Sequence, residues 1–453
     1  MGDKMSLEKM VKKYIITTAQ REASLNNEFL DTLERYKSFI NAEKIIVLPT
    51  DGASVDDEDI NEYFYTSSHY EVTTNNVRLN KNIQISNYAI KPQQIDPVTG
   101  LARFAQDDSS TIFASTKQRM KVIPNSNIDL PKVIMTTGAC THPRYRDNRI
   151  GRIAAKDHIY GAIVVEVEGN KWYHYRQIQA QKNGIFYDLG TKFDGKKKPY
   201  LKRPEALVLG DLHVGDTNPK VLEETYAMIK DYKPKRVILH DVFNNHSISH
   251  HEDGKIIDKY KRTQSHTLLL EKELKGLAEQ LYDFAHKYPK TEFVVVKSNH
   301  DEGLERYLNE ARFTKEPQNA LIGSKLLTAC LEGYDPLEYG VNEMIPMPKN
   351  ITFLQADSDY KVRGWQLANH GHLGANGARG SIRSIEWANG KSITAHSHTP
   401  EIFRNVYKVG TSTNLKLSYN RGYSSWLNTH GFLYDNGRVQ LVNIVNGKHR
   451  GDK

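Results

Sequence analysis

Residues 205–220 read "EALVLGDLHVGDTNPK". An apolar run, Ala206 to Leu209, stops abruptly at Gly210-Asp211-Leu212-His213. Side chains alternate along a strand, so Asp211 and His213 project to one side where the extended geometry persists. Two ligand-type side chains at a strand end are either the start of a metal site or a polar loop. The neighbouring elements decide between these, and Asp216, a little further on, takes no part in the pattern.

Downstream, "RVILHD" (236–241) and "EFVVVKSN" (292–299) are further strand-like runs, separated by the helical stretches 218–232 and 266–288. Strand–helix–strand alternation predicts a βαβ framework with a largely parallel sheet. Each run ends in chemistry: Asp241 in "LHDVFNNH", then Asn299, His300 and Asp301 in "KSNHDE". "QLANHGH" adds His370 and His372, and "SITAHSHT" adds His396 and His398. In open α/β sheets, ligand sites form outside the carboxyl ends of the strands. Carboxylate, amide oxygen and imidazole without thiolate favour Mn²⁺, Fe or Zn²⁺, and so many ligands suit two ions sharing a carboxylate.

The ordered series "GDLH … HDVFNN … SNHD … NHGH … AHSH" resembles the calcineurin-like metallophosphoesterases over about residues 203–445. The resemblance implies an αββα sandwich, two mixed sheets flanked by helices. It implies that Asp211, His213, Asp241 and His398 hold one divalent ion, and Asp241, Asn299, His370 and His396 the other, with Asp241 bridging. His300 becomes the proton donor or phosphate stabiliser, and Asp301 orients it. Two ions about 3.5–4 Å apart lower the pKa of a bridging water, and the resulting hydroxide attacks phosphorus. The ions are expected to be Mn, with Mg, Fe or Zn as alternatives. Where the family has glycine before the second, third and fifth motifs, this chain has His240, Ser298 and Ala395.

Protein phosphatases of this superfamily carry an arginine just after the bridging aspartate, whereas "HDVFNNHSISHHE" (240–252) has none. "DVFNNH" is instead similar to the corresponding segment of SbcD-type double-strand-break repair nucleases. Motifs placed behind some 200 residues resemble the layout of phage-encoded DNases of that superfamily. The resemblance therefore implies a Mn-dependent DNA nuclease. The alternatives are a phosphodiesterase or phosphatase acting on nucleotides or other small phosphoesters, and an inactive scaffold, which the complete ligand set argues against.

The chain has 453 residues, 26% of them charged, with a formal net charge of +8. That balance leans toward polyanionic partners, here DNA. No apolar run approaches the roughly 20 residues that cross a bilayer. Cys140 and Cys330 are too few for a disulfide framework. A cytoplasmic protein is expected, in the host cytoplasm if phage-encoded.

Two domains are expected, an α+β region over 1–200 and the metallophosphoesterase domain over 201–453, with a charged linker, "DGKKKPYLKRPE" (194–205), between them. The first forty or so residues read as helical, 44–52 as a strand, and 63–130 has no clear pattern. "YGAIVVEVEGNKWYHYRQI" (160–178) predicts paired strands, and the tail from 401 antiparallel ones. In the front region, "HPRYRDNRIGRIAAK" carries Arg144, Arg146, Arg149 and Arg152, and is either a DNA contact or a solvated or oligomeric face. "GANGARGSIR" carries Arg379 and Arg383 and is a candidate substrate loop. His246, His250 and His251, just beyond Asp241, read as surface histidines, with contact to substrate as the alternative.

Overall fold

The strand Ala206–Val208 alternates as its sequence predicts. Leu207 faces a helical layer, while Ala206 and Val208 face a second sheet. A computed structural model describes residues 11–52, 59–105, 109–126, 129–130, 132–249, 255–265, 267–417 and 420–451. In it, Ala206–Val208 lies inside a six-stranded mixed sheet. Arg236–Leu239, Glu292–Val295 and Ile351–Phe353 continue the sheet in parallel on one side. Thr429–Leu433 and Val439–Asn443 extend it antiparallel on the other.

Helices Pro219–Tyr232 and Leu270–Lys287 cover one face, with Met228, Leu274, Leu281 and Phe284 packed against Leu207, Val237 and Phe293. The opposite face packs Ala206, Val208, Ile238 and Val294 on Leu367, Ile393, Tyr407 and Val409. Those residues belong to a ten-stranded mixed sheet or its margins. The outer face of that sheet carries helix Ile382–Asn389, whose Ile382 and Ile385 meet Phe403 and Val406. The result is the expected sandwich of two mixed sheets flanked by helices.

The ten-stranded sheet draws on both ends of the chain. Met120–Ile123 pairs antiparallel with Glu401–Phe403, with Met120 opposite Ile402. Four more strands complete it, three from 77–113, within the stretch that shows no clear pattern, and Lys132–Thr136, which the apolar run "KVIMTTG" (132–138) predicts. A five-stranded sheet of Trp172–Gln179, Gly161–Glu168, Val11–Gln20, Lys44–Thr50 and Tyr70–Val72 carries helix Asn27–Ile40 on one face. The charged stretch near residue 200 adds a short strand, Tyr200–Leu201, paired with Thr191–Phe193.

One expectation is overturned here. Val11–Gln20, read as helical, is a strand, parallel to Lys44–Thr50 and antiparallel to Gly161–Glu168. Its β-branched Val11, Ile15, Ile16, Thr17 and Thr18 lose rotamer freedom in a helix and pack well on a pleated surface. The helical reading of 1–10, most of the acidic stretch after residue 52, and His250 and His251 lie outside the described residues. Among the described residues, no helix is long and apolar enough to cross a membrane.

Candidate metal centre

Five strand ends converge on one edge of the sandwich. Asp211 and His213 follow Ala206–Val208, Asp241 follows Arg236–Leu239, and Asn299 opens the helix after Glu292–Val295. From the second sheet, His370 follows Trp365–Gln366, and His396 and His398 follow Ser392–Thr394. Backbone hydrogen bonds lock the loops together, with His213 N donating to Asp241 O at 2.8 Å and Ala395 N to His370 O at 2.8 Å.

Four of these seven residues adopt left-handed backbone conformations: His213 (φ 42°), Asp241 (φ 46°), His396 (φ 70°) and His398 (φ 55°). Such conformations cost non-glycine residues energy, and folds concentrate them at functional sites. Here the turn at each strand tip swings the side chain back toward the common edge.

The ligand atoms fall into two groups that share Asp241. One comprises Asp211, His213, Asp241 and His398; the other comprises Asp241, His370 and His396. His213 Nε2 lies 3.0 Å from His398 Nε2 and 3.5 Å from Asp241 Oδ2, and His398 Nε2 lies 3.2 Å from Asp211 Oδ2. In the second group, His370 Nε2 is 3.2 Å from Asp241 Oδ2. Asn299 Oδ1 joins it, 3.1 Å from His370 Nε2 and 3.0 Å from His396 Nδ1. Two donors bonded to one ion at about 2.1 Å stand roughly 3.0–4.2 Å apart, according to the angle between them.

Electrostatics supports the same reading. Asp211, His213, Asp241 and His370 are all buried, and Asp211 Oδ2 and Asp241 Oδ1 have no hydrogen-bond partner among the described residues. Buried acceptors without partners are costly, and a cation satisfies them. Burial pushes Asp211 up to about 8, against the pull of His370. Burial also opposes ionisation of Asp241, yet the imidazoles of His300, His370 and His213 hold it well below the usual carboxylate range. Burial opposes the charge of His370, yet the charge and hydrogen bond of Asp241, with the charges of Asp211 and Asp301, together raise it to about 9. Burial lowers His213 strongly, His396 to about 3 and His398 to about 4, so these rings are neutral and able to ligate. The donor set and its unsatisfied carboxylates fit two divalent cations.

His372 is turned away, with Nε2 3.0 Å from Glu302 Oε1. His300 lines the cleft with its ring 4.8 Å from that of His213, and its Nδ1–H donates to the Asn244 carbonyl at 2.8 Å. That bond leaves the Nε2 lone pair to the cleft. Asp301, expected to orient His300, is engaged elsewhere. Its Oδ2 accepts from Ser298 N at 2.9 Å in a capping box that starts helix Asn299–Asn309. Ser298, where the resembled motif has glycine, thus supplies a helix cap.

His240, at another such position, is fully buried and lies tilted on His370, with ring centroids 5.6 Å apart. Burial lowers it to about 3, so it is a neutral wall of the site. The left-handed residue is Asp241 rather than residue 240, so a large side chain at 240 meets no backbone restriction.

The cleft over these residues has a volume of about 630 Å³, and Asn244, Lys255, Arg262, Arg306 and Trp426 form part of its wall. Sequence reading missed these wall residues. The arginines it singled out do not line the cleft. Arg144 pairs with Glu22, and Arg152 with Asp147 at 2.8 Å. Arg146 lines a separate cavity of about 210 Å³ beside Gly52 and Tyr145. Arg149 is exposed at the start of its helix, and Arg379 is exposed in the loop after His372. Arg383 lies over the Phe403 ring, 3.8 Å from Asp96.

No family model matches this chain. In sequence it is similar to Protein A1 of Escherichia phage T5, 27% identical over 468 residues that cover 97% of this chain and 83% of that relative. Among solved structures it matches Chaetomium thermophilum Vps29 at 14% identity with a TM-score of 0.24, covering 43% of this chain and 98% of that one. A second Vps29 structure gives the same identity and score over 42% of this chain and 97% of that one.

Proposed function

We propose that this chain is a calcineurin-like metallophosphoesterase that hydrolyses DNA phosphodiester bonds in a Mn²⁺-dependent reaction. The observation that carries the reading is the pair of buried ligand groups sharing Asp241 at one edge of a two-sheet sandwich. Asp211, His213 and His398 would hold one ion, Asn299, His370 and His396 the other, and Asp241 would serve both. When bound, the ions polarise the phosphate, activate water and offset charge on the phosphoryl oxygens.

The chain itself supplies position and protons. His300 is fixed through Nδ1, so Nε2 faces the cleft and, when protonated, gives a proton to the leaving alkoxide. Wall cations Lys255, Arg262 and Arg306 suit a polyanion, as does the net charge of +8. A phage-encoded relative matched over 97% of the chain fits a role in phage biology. The exposed Arg146, Arg149 and Arg152, with Arg379 and Arg383, are the proposed DNA contacts outside the cleft.

Linear and circular DNA incubated with Mn²⁺ or Mg²⁺ tests the reading, with His300→Ala as control. Cleavage by the wild-type protein that the variant loses is the expected result. Turnover of a nucleotide diester without cleavage of any DNA replaces it with the small-molecule reading. An Arg146/Arg149/Arg152 triple substitution that binds DNA as tightly as wild type removes the assignment of the outer contacts.

A further inference from the structure

The sheet edge that carries Asp211 has a second concavity, outside the metal cleft. Val439–Asn443 runs parallel to Ala206–Val208, since both are antiparallel to Thr429–Leu433, so the turn after it reaches that same edge. There Asn446 and Gly447 meet Lys220, in the first turn of helix Pro219–Tyr232, and the segment of Asn414 and Lys416. Lys171 and Trp172, at a hairpin tip, form a further part of the wall. The cavity has a volume of about 520 Å³ and shares no lining residue with the metal cleft.

Each lysine stands on a fixed wall. Asn428 Nδ2 donates to the Thr411 and Thr413 carbonyls, both at 2.9 Å, and Asn414 N donates to the Asp216 carbonyl at 3.1 Å, which pins the chain leading to Lys416. The Lys171 carbonyl accepts from Asn82 Nδ2 at 2.8 Å, and its ammonium lies 4.2 Å from the centre of the Trp172 ring. Asn446 and Gly447 turn in left-handed conformations (φ 51° and 76°). A Cβ on Gly447 would lie 3.2 Å from Lys220 Cβ, so the Lys220 stem runs over the bare glycine.

The charge is lopsided. Three exposed ammonium groups line the cavity against one carboxylate, Asp129. Among the described residues, none of the three lysines pairs with a carboxylate. The cavity is also close to the metal centre. Thr411 is bridged to the ligand Asp211, and Asn414 in the cavity wall is three residues further on, at most about 10 Å of chain. Phosphates of a DNA strand advance about 3.4 Å each along the duplex axis, so a strand with one phosphate at the metals reaches the lysines roughly three to six nucleotides away.

We propose that this cavity is a second DNA-binding site, in which Lys171, Lys220 and Lys416 hold the phosphodiester backbone of the strand leading away from the metal centre. The site is indifferent to base sequence, because ammonium groups here meet phosphate charge and not base edges. It rests on the nuclease reading for the identity of its ligand.

The test uses the full chain with Mn²⁺ and fluorescence anisotropy of cleavage-resistant phosphorothioate DNA of roughly 20 nucleotides, single-stranded and duplex. Wild type is compared with a variant carrying Lys171→Gln, Lys220→Gln and Lys416→Gln, and with one carrying arginine at the same three positions. The glutamine variant is expected to bind about tenfold more weakly, with a slope of log affinity against log salt flatter by about 2 for the single strand and about 3 for the duplex. The arginine variant keeps the charge and should match wild type. Turnover of 4-nitrophenyl thymidine 5′-phosphate, too short to reach the lysines, should stay that of wild type in both. Unchanged affinity and salt slope in the glutamine variant overturn the site, even if DNA is cleaved. An equal loss of diester turnover in that variant overturns it too, because the lysines would then act through the metal centre. A wild-type chain that binds DNA through the lysines yet cleaves no unmodified DNA overturns the nuclease reading and leaves the site standing.

Discussion

The Gly210 backbone N–H donates to His430 Nδ1 at 3.0 Å, one residue ahead of the ligand Asp211. The tautomer is thereby fixed. His430 Nε2–H donates to Thr225 Oγ1 at 2.8 Å, and the Thr225 hydroxyl passes its proton to the Val221 carbonyl at 2.7 Å. The turn that aims Asp211 is thus tied through one neutral imidazole to helix Pro219–Tyr232. A proton on Nδ1 would set two N–H groups against each other.

Stability should therefore depend on pH through His430. Burial lowers its pKa to about 4, below the roughly 6.5 of an unfolded histidine. A lowered histidine contributes fully above about pH 6.5 and loses that contribution as pH falls from 6.5 to 4, by an amount on the order of 3 kcal/mol. Urea unfolding of wild type and His430→Phe should show a gap that is widest at pH 7.5 and narrows toward pH 4.5. A gap independent of pH would mean that the ring is not held neutral.

Gly210 itself is predicted to be irreplaceable. A Cβ there would lie 2.7 Å from Thr411 N and 2.8 Å from the Gly410 carbonyl carbon, both backbone atoms that cannot swing aside. Gly210→Ala should cost on the order of 1–3 kcal/mol and displace Asp211. Thermal unfolding reads the first effect and Mn²⁺ titration the second. Wild-type values in both would show that the two loops separate freely.

Asp241 is the one ligand common to both groups, so its removal differs in kind from removal of a flanking ligand. Wild type should bind two Mn²⁺ per chain, with saturating metal at about 100 times Kd adding roughly 2.7 kcal/mol of stability. His398→Asn should keep one ion, and Asp241→Asn should keep neither. Asparagine is the apt replacement because it tolerates the left-handed conformation that residue 241 adopts (φ 46°). Metal content after gel filtration distinguishes these outcomes, and two ions retained by Asp241→Asn would exclude a shared ligand.

Asp211, His213, Asp241 and Asn299 were legible because each follows a strand whose apolar run is itself legible, whereas His370, His396 and His398 follow the short strands Trp365–Gln366 and Ser392–Thr394 and were legible only from the order of the motifs. The cleft wall was not. Arg262 lies on a short helix far in sequence from any ligand, and only the fold brings it to His246. The second sheet was hidden for another reason. Thr111, Gln118, Arg119 and Thr136 are buried polar residues on or beside its strands, and Gln118 Nε2 donates to the Thr137 carbonyl at 2.7 Å. A strand of that kind shows no apolar alternation. The role of Asp301 was misjudged because sequence adjacency to His300 hid a nearer task, capping its own helix.

Arg176 supports the last prediction. It is buried between two carboxylates, with Nε 2.8 Å from Asp188 Oδ1 and a terminal nitrogen 2.8 Å from Glu166 Oε1. Asp188 also accepts from Tyr36 at 2.6 Å and Gln440 at 2.9 Å, and Glu166 from the Gly451 backbone at 2.6 Å. The cluster therefore joins the front sheet to the tail of the chain. Arg176→Met leaves two buried carboxylates facing each other and should cost on the order of 3–5 kcal/mol at neutral pH. Burial opposes ionisation of Asp188, but the charge and hydrogen bonds of Arg176, with the hydrogen bonds of Tyr36 and Gln440, together lower its pKa, so wild type loses this contribution as pH falls through that lowered value. In the variant the sign reverses. Without the guanidinium, burial, the largest influence on Asp188, is expected to raise its carboxyl above the unfolded value, so acidification toward pH 4 relieves the strain. Stability curves of wild type and variant should converge as pH falls, and the Arg176→Met/Glu166→Gln/Asp188→Asn triple variant should recover most of the loss at pH 7. A triple variant no more stable than Arg176→Met at pH 7 would show that the guanidinium acts through packing rather than charge.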